Sequence, residues 1–519
     1  MRGLTPSVFP TPSVFPSVFL TPSVFRPHQC FPSDVFGSSI WLGRRDWRHI
    51  ATEILITLHS AQGAVVASEL CSGKNFNTLC NLRTVKVNID FSFYKVWVYF
   101  YKDPAMKHIK RNLTENILFA LKNNPVVFLN GPRQAGKSTL VQELSGTDYL
   151  AEYVTFDNAT QMSAASVAPE AFLTKRDGAL IIDEVQMVPE LFRPLKMVVD
   201  ELRLADKANS NGRFLLTGSA NIMALPKLSE PLVGRMSVKT LYPPSSGEVF
   251  GGESAFLDNL FAGNFSTPKT RVSLNEAIRA ATFPEISGKE ARERSEWFEG
   301  YLTTILQRDV RAIAELDRIS LLPVMLRVLA ARAGSLMNDA SISRDLGLNA
   351  VTSKSYRGIL QAMFLSFDVR PWYRNIGKRL VKSPKGYLID TLLLCHLLDW
   401  NLDDLSANKH DLYGHVVENF VATELLKLLS FSEVRAKLLH FRTSDGKEVD
   451  FILERPDGRL AGIEVKTSTR VDTGDFKGLR ELQETTDNDF QCGIVLYAGK
   501  DVVPFGEKLF AVPLSALWQ

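Results

Sequence analysis

Residues 126–139 read Val126-Val127-Phe128-Leu129-Asn130-Gly131-Pro132-Arg133-Gln134-Ala135-Gly136-Lys137-Ser138-Thr139. An apolar run of strand length enters a loop bounded by two glycines, and Leu140 and Leu144 continue beyond it at helical spacing. This is GxxxxGK[ST] in the strand–loop–helix setting that the motif requires. Gly131 and Gly136 admit backbone conformations closed to other residues, so N–H groups between them can point inward at phosphate oxygens. The helix that starts at the loop's end adds its partial positive charge. Within a cradle running from Gly131 to Thr139, Lys137 is placed to reach the β- and γ-phosphates and Ser138 to ligate Mg²⁺.

Working outward, residues 179–184 read ALIIDE: four apolar residues end in two carboxylates, as at the tip of a central parallel strand. Asp183 is expected to hold Mg²⁺ through water and Glu184 to polarise an attacking water. Residues 213–219, RFLLTGS, form a third strand; Thr217 or Ser219 at its tip is expected to sense the γ-phosphate, and the residues do not choose between them. A strand from Tyr153 to Phe156 intervenes. Strands alternate with helices throughout, which predicts a doubly wound parallel sheet, a P-loop NTPase α/β fold. Beyond the third strand, LVGR ends in Arg235. A cation there could complete a neighbouring copy's site in a homo-oligomer, or could form an ordinary surface salt bridge.

Taken together, GPRQAGKST, LIIDEVQ with Pro189 and Leu191 following, LLTGSAN and LVGR resemble the AAA-fold ATPases of bacteria and archaea whose C-terminal half is a domain of unknown function. The resemblance runs from about Met106 to Gln519, and Met106-Lys107-His108-Ile109-Lys110-Arg111 agrees with that family's usual start. Ser138 stands where threonine is common, and either hydroxyl binds Mg²⁺. The resemblance implies ATP binding and hydrolysis and says little about biological role.

Residues 340–360, ASISRDLGLNAVTSKSYRGIL, predict a short helix from Ile342 to Leu346, a turn near Gly347 and a second helix from about Asn349. That is helix-turn-helix spacing, with Ser353, Lys354 and Arg357 expected to face outward; whether they read DNA is a separate question, since such units also serve only as helical packing modules. A strand-like Phe367 to Trp372 then predicts a winged form.

Residues 448–466 read EVDFILERPDGRLAGIEVK, two alternating runs around Pro456-Asp457-Gly458, which predicts a β-hairpin centred on Asp457. Asp450 then lies opposite Glu464, and Glu448 opposite Lys466, with all four side chains on one face. Packed carboxylates repel unless a cation sits among them, and a hard ion such as Mg²⁺ or Mn²⁺ is the expected occupant. This arrangement resembles that of the PD-(D/E)xK nuclease superfamily. The resemblance implies that Asp450 and Glu464 bind metal, that Lys466 orients or activates water, and that Glu418 on a preceding helix supplies a further acid. A surface hairpin with cross-strand ion pairs, each worth about 0.2–1 kcal/mol, is the competing reading.

The chain has 519 residues, too many for one hydrophobic core, and 45% hydrophobic with 23% charged residues is ordinary globular composition. No apolar run approaches the length of a membrane-spanning helix. Five cysteines without a CxxC pair exclude a disulfide framework and fit a reducing, cytoplasmic setting. Residues 1–105 carry 10 Lys and Arg against 6 Asp and Glu, while the remainder carries 50 against 51. The body is therefore no general polyanion binder, and any nucleic-acid contact needs a local patch.

Residues 5–25, TPSVFPTPSVFPSVFLTPSVF, repeat a Pro-containing unit that forms neither helix nor ladder. Val85 to Phe93 alternates like a half-buried strand with no evident partner. Four segments are thus expected. Residues 1–105 form an N-terminal extension, with the working protein starting near Met106; 106–250 form the AAA-type ATPase; 251–375 form a helical and winged-helix-like segment; and 376–519 form an α/β nuclease-like domain. The expected function is Mg²⁺-dependent ATP hydrolysis coupled to a DNA-directed nuclease-like module. The alternative is a nucleotide-gated switch whose C-terminal fold is a non-catalytic binding module.

Overall fold

The computed structural model describes residues 84–91, 94–101 and 109–519, the last with gaps at 177, 208–209, 220–231, 233, 253–254, 311–317 and 375–381. The chain divides into Met1–Lys107 and His108–Gln519. In the first unit, β1 (Thr84–Phe91) pairs antiparallel with β2 (Tyr94–Tyr101), so the strand expected without a partner has one immediately downstream. The repeat at 5–25 and the expected start at Met106 lie outside the described residues.

In the second unit, α1 (Leu113–Asn123) leads into β3 (Val126–Asn130), every residue of which is buried. The phosphate loop follows, and α2 (Lys137–Gly146) leaves it. Four more strands, β4 (Ala151–Thr155), β5 (Ala179–Asp183), β6 (Phe214–Gly218) and β7 (Met236–Thr240), complete a sheet in the order β4-β5-β6-β3-β7. Every pairing is parallel, as the strand–helix alternation predicted. The order puts β6 between the phosphate-loop strand and the strand ending in Asp183.

Alternation along β3 divides the core. Val126 and Phe128 join a cluster with Leu180, Ile182 and the buried face of α3 (Phe192–Ala205), including Leu195 and Val199. Val127 and Leu129 face the other way, into a cluster that reaches Trp518 near the end of the chain. A short α4 (Ser246–Phe250) follows β7.

The predicted helix pair is present as α5 (Asp339–Leu346) and α6 (Ala350–Ala362), with Gly347 at φ +62° closing the first and the Asn349 side chain capping the second. Its facing differs from expectation. Ser353 and Arg357 are buried, and Arg357 pairs with Asp339 (3.0 Å) and Asp368, so of the three outward residues only Lys354 is exposed. The three-and-four spacing through Ser353, Tyr356, Arg357 and Leu360 carries them all onto the packed face.

The expected wing strand is β8 (Ser366–Pro371), which pairs with β9 (Lys385–Leu388) across the expected boundary at 375. Both belong to one eight-stranded mixed sheet with β10 (Lys437–Arg442), β11 (Glu448–Glu454), β12 (Leu460–Lys466), β13 (Phe490–Tyr497), β14 (Val503–Gly506) and β15 (Leu509–Pro513). The sheet order is β14-β15-β13-β12-β11-β10-β8-β9. Between β9 and β10 runs α7 (His410–Phe431), whose Val417, Phe420, Val421 and Leu425 are buried in the cluster that holds Val127 and Leu129. Each such side chain stabilises by roughly 1.5–3 kcal/mol. No described helix is long and apolar enough to cross a membrane.

Candidate functional site: a phosphate loop and a remote carboxylate cluster

Close approach dictates the loop's first glycine. Gly131 has φ +145°, and a Cβ there would lie 2.1 Å from the Leu241 carbonyl oxygen. Gly136, at φ +95°, starts α2, so Ser138 and Thr139 occupy the first helical turn with the N–H groups that a phosphate would meet. Between the glycines, Pro132 and Ala135 are buried, Arg133 is half-buried and Gln134 is exposed at φ +62°. Lys137 is buried and donates to the Gly131 (3.0 Å) and Pro132 (2.8 Å) carbonyls. Burial pulls its pKa down to about 8, against the opposing pull of Glu184 and Asp183.

The tips of β5 and β6 converge by hydrogen bonds. Asp183 accepts from the Tyr153 hydroxyl (2.7 Å) and from Thr217 Oγ1. Thr217 Oγ1 in turn accepts the Glu184 backbone N–H (3.1 Å). Glu184 stands at φ +58°, and its carboxylate accepts from Gln186, whose side-chain amide also donates to Ser219 Oγ (3.0 Å). The two residues at this tip thus differ in partner, Thr217 bonding Asp183 and Ser219 bonding Gln186. Tyr153 and Gln186 are hydrogen-bonded neighbours of these strand tips that motif reading passed over. Arg235 is held in two-point contact by Asp200 of α3, with Nη2 3.0 Å from Oδ2. A role in a neighbouring copy would require that pair to open.

Beneath the loop lies Arg111. Its guanidinium donates to the carbonyls of Ala135 (3.0 Å) and Tyr242 (2.6 Å) and to Glu248 (3.2 Å). Glu248 also accepts the backbone N–H groups of Asn112 (2.8 Å) and Ser245 (2.9 Å), the latter closing a capping box on α4. One residue further, Ser246 donates its backbone N–H (2.9 Å) and its hydroxyl to Glu424 on α7. Glu424 is paired with Lys427 (3.0 Å), which donates to the carbonyls of Pro244 (3.1 Å) and Ala281 (2.9 Å). Polar contacts thus run from the phosphate loop to the buried centre of α7. The only trace of this path in the sequence is a Glu and a Lys three residues apart in an apolar helix.

On the second sheet, the hairpin has the expected register, Phe451 opposite Ile463, and its backbone ladder ends there. The Asp450 side chain, through Oδ2, accepts the Val465 N–H (3.0 Å). Lys466 meets Glu464 (2.9 Å). The expected opposition of Glu448 and Lys466 gives way, because Glu448 turns instead to Arg442 (3.5 Å) and Lys385.

Lys385, which the motif did not include, is central. Its Nζ is 3.1 Å from Glu418 Oε1 and 3.1 Å from Asp450 Oδ1, and it also bonds Glu448. The side chain thus bonds Glu418 and Asp450, two of the three carboxylates among which a divalent cation was expected. Among the described residues, no group of three or more His, Cys, Asp or Glu side chains is arranged to hold a metal ion. Burial opposes the Lys385 charge, but Asp450, Glu418 and Glu448 hold its pKa above the ordinary lysine value. Burial and then Asp450 raise Glu464 to about 8 and Glu418 to about 7.

The AAA domain family matches residues 123–250. Two domains of unknown function, DUF8612 and DUF4143, match 271–404 and 413–517. Two mycobacterial proteins, the uncharacterized proteins Mb2031c of Mycobacterium bovis and Rv2008c of Mycobacterium tuberculosis, are each 30% identical over 413 residues, 79% of this chain and 84% of theirs. Among solved structures, the Walker-type ATPase of Pyrococcus abyssi is similar over 57% of this chain and 97% of its own, with 16% identity and a TM-score of 0.35.

A parallel sheet, a glycine-bounded loop before α2 and the Asp183–Thr217 junction define a P-loop ATPase fold of the AAA type, one that generally binds ATP with Mg²⁺. Within that class, the chain belongs to the family of the two mycobacterial proteins.

Proposed function

We propose that the chain is a Mg²⁺-dependent ATPase whose nucleotide state is read by its C-terminal domain. Lys137 would bind the β- and γ-phosphates, Ser138 and Asp183 would hold Mg²⁺, and Glu184 would orient water for attack on the γ-phosphate. Mg²⁺ would supply neutralisation of the phosphate charge. Thr217 fixes Asp183 and the Glu184 backbone, while Gln186 restrains the Glu184 carboxylate.

The observation that carries this reading is Arg111. One guanidinium bonds both the phosphate loop, at Ala135, and Glu248, two residues from the Ser246 that docks on α7. A loop that shifts on binding phosphate must carry or release that contact. ATP hydrolysis by purified protein tests the first half. Glu184→Gln is expected to lower kcat by about 10²–10⁴-fold while ATP still binds, and a Lys137→Ala protein as active as wild type would sink the reading.

A second reading, metal-dependent DNA cleavage, draws on Asp450, Glu464 and Lys466 all lying at the end of one hairpin, and it requires a metal ion to displace Lys385. Plasmid, linear and branched DNA with Mg²⁺ or Mn²⁺, with and without ATP, separates the two. Cutting that needs Lys466 establishes a nuclease, and intact hydrolysis without cutting leaves the switch.

A further inference from the structure

The cluster at the end of the hairpin gathers Glu418, Glu448, Asp450 and Glu464 against two lysines. Lys385 is 3% exposed, and an ammonium has three protons to donate. It has three carboxylate acceptors here, one each from α7, the start of β11 and the hairpin's splayed end. The contacts of 3.1 Å to Glu418 and Asp450 are N–H···O distances. A hard divalent ion would draw its oxygens in to about 2.0–2.6 Å.

The oxygens are also committed elsewhere. Asp450 Oδ2 accepts the Val465 N–H, Glu418 Oε1 accepts the Tyr387 hydroxyl (2.7 Å), and Glu464 Oε1 accepts from Lys466. Among the oxygens of these carboxylates, Glu464 Oε2 is buried without a hydrogen-bond partner. Protein donors thus hold at least one oxygen of each of these carboxylates, and a hard cation that takes six or more oxygens would have to displace them.

Lys385 is also fixed from behind. Its neighbour Pro384 accepts the Met337 N–H (2.7 Å), and Gly386 accepts the Gly334 N–H (2.9 Å). Gly386 has no room for a side chain, since a Cβ would lie 2.6 Å from the Met337 methyl.

We infer that Lys385 is the resident cation of the C-terminal carboxylate cluster, so that the domain is complete without a divalent metal and gains a metal site only when Lys385 is removed. The inference concerns the C-terminal domain alone and holds whether or not ATP is hydrolysed at the phosphate loop.

Mn²⁺ binding to the full nucleotide-free chain, followed by electron paramagnetic resonance, tests it. Wild type and Asp450→Asn are expected to bind the same amount of Mn²⁺, because Asp450 is committed to Lys385 and Val465. Lys385→Met is expected to take up one additional Mn²⁺, lost again in Lys385→Met with Asp450→Asn, and to melt higher when Mn²⁺ is added. ATP hydrolysis by Lys385→Met is expected to stay at the wild-type rate, so failure of the ATPase reading shows separately. Wild-type Mn²⁺ binding that Asp450→Asn removes would overturn the inference, as would a folded Lys385→Met that gains no Mn²⁺. If Lys385→Met does not fold, the comparison of wild type with Asp450→Asn still decides.

Discussion

Lys137 shows how one buried charge sets a measurable property of the nucleotide site. Its ammonium rests on the loop's own carbonyls, and burial brings its pKa down to about 8 from the ordinary 10.5. Phosphate oxygens brought within reach would favour the charged form and push the pKa back up. Well below pH 8 the lysine is charged before and after binding, so almost no proton moves. Between pH 8 and 10.5 the free protein is largely neutral at Lys137 and the complex is charged, so ATP binding takes up a proton and affinity falls as pH rises. Calorimetry at pH 9 in two buffers of different ionisation enthalpy reads the uptake as a buffer-dependent heat. Lys137→Met is expected to abolish that dependence. Equal heats for wild type in both buffers would show that the lysine does not titrate on binding.

At the scale of elements, α5 and α6 separate a shape from a use. Asn349, Gly347 and the apolar spacing specify the helix pair, and the pair forms. Which face is packed depends on β8, which supplies Asp368 to Arg357. Arg357→Met is therefore expected to destabilise by about 2–3 kcal/mol, less than the ~3–5 kcal/mol of a fully enclosed pair because Asp339 and Asp368 keep some solvent contact. Lys354→Ala, on the exposed face, is expected to stay within about 0.5 kcal/mol. Urea unfolding compares them, and equal effects would contradict the assigned faces. The same contrast explains what was legible in the sequence. The phosphate loop, the strand ending in Asp183 and the 448–466 hairpin are local patterns, and they form where spacing put them, except that the hairpin's open end splays and Glu448 leaves Lys466. Lys385, Arg111 and Glu424 act through partners 24 to 178 residues away, and no local spacing encodes such pairs.

For the whole molecule, the decisive fact is that the ATPase sheet buries one face in the same cluster as α7. Val127 and Leu129 of the phosphate-loop strand share it with Val417, Val421, Leu425 and Trp518. At the seam, Glu424 and Lys427 are buried and bind Ser246, Pro244 and Ala281. Neither side can unfold without exposing apolar surface and an ion pair that the other covers, so residues 109–519 should melt cooperatively. ATP at about a hundred times its Kd stabilises the state that binds it by roughly 2.7 kcal/mol. In a cooperative body that stabilisation reaches every part. The sequence provides the reporter: none of the seven tryptophans lies between residues 106 and 250. In the Glu184→Gln protein, where ATP is expected to persist, tryptophan fluorescence should therefore melt several degrees higher with ATP, although no tryptophan belongs to the ATPase segment. Glu424→Gln keeps the side chain's size but leaves Lys427 buried without its carboxylate. It is expected to lower the melting temperature and to shrink the ATP-induced rise, as the seam loosens before the sheet. A tryptophan melt unmoved by saturating ATP would mean that the two sheets unfold independently, and the path from Arg111 to α7 would then transmit nothing.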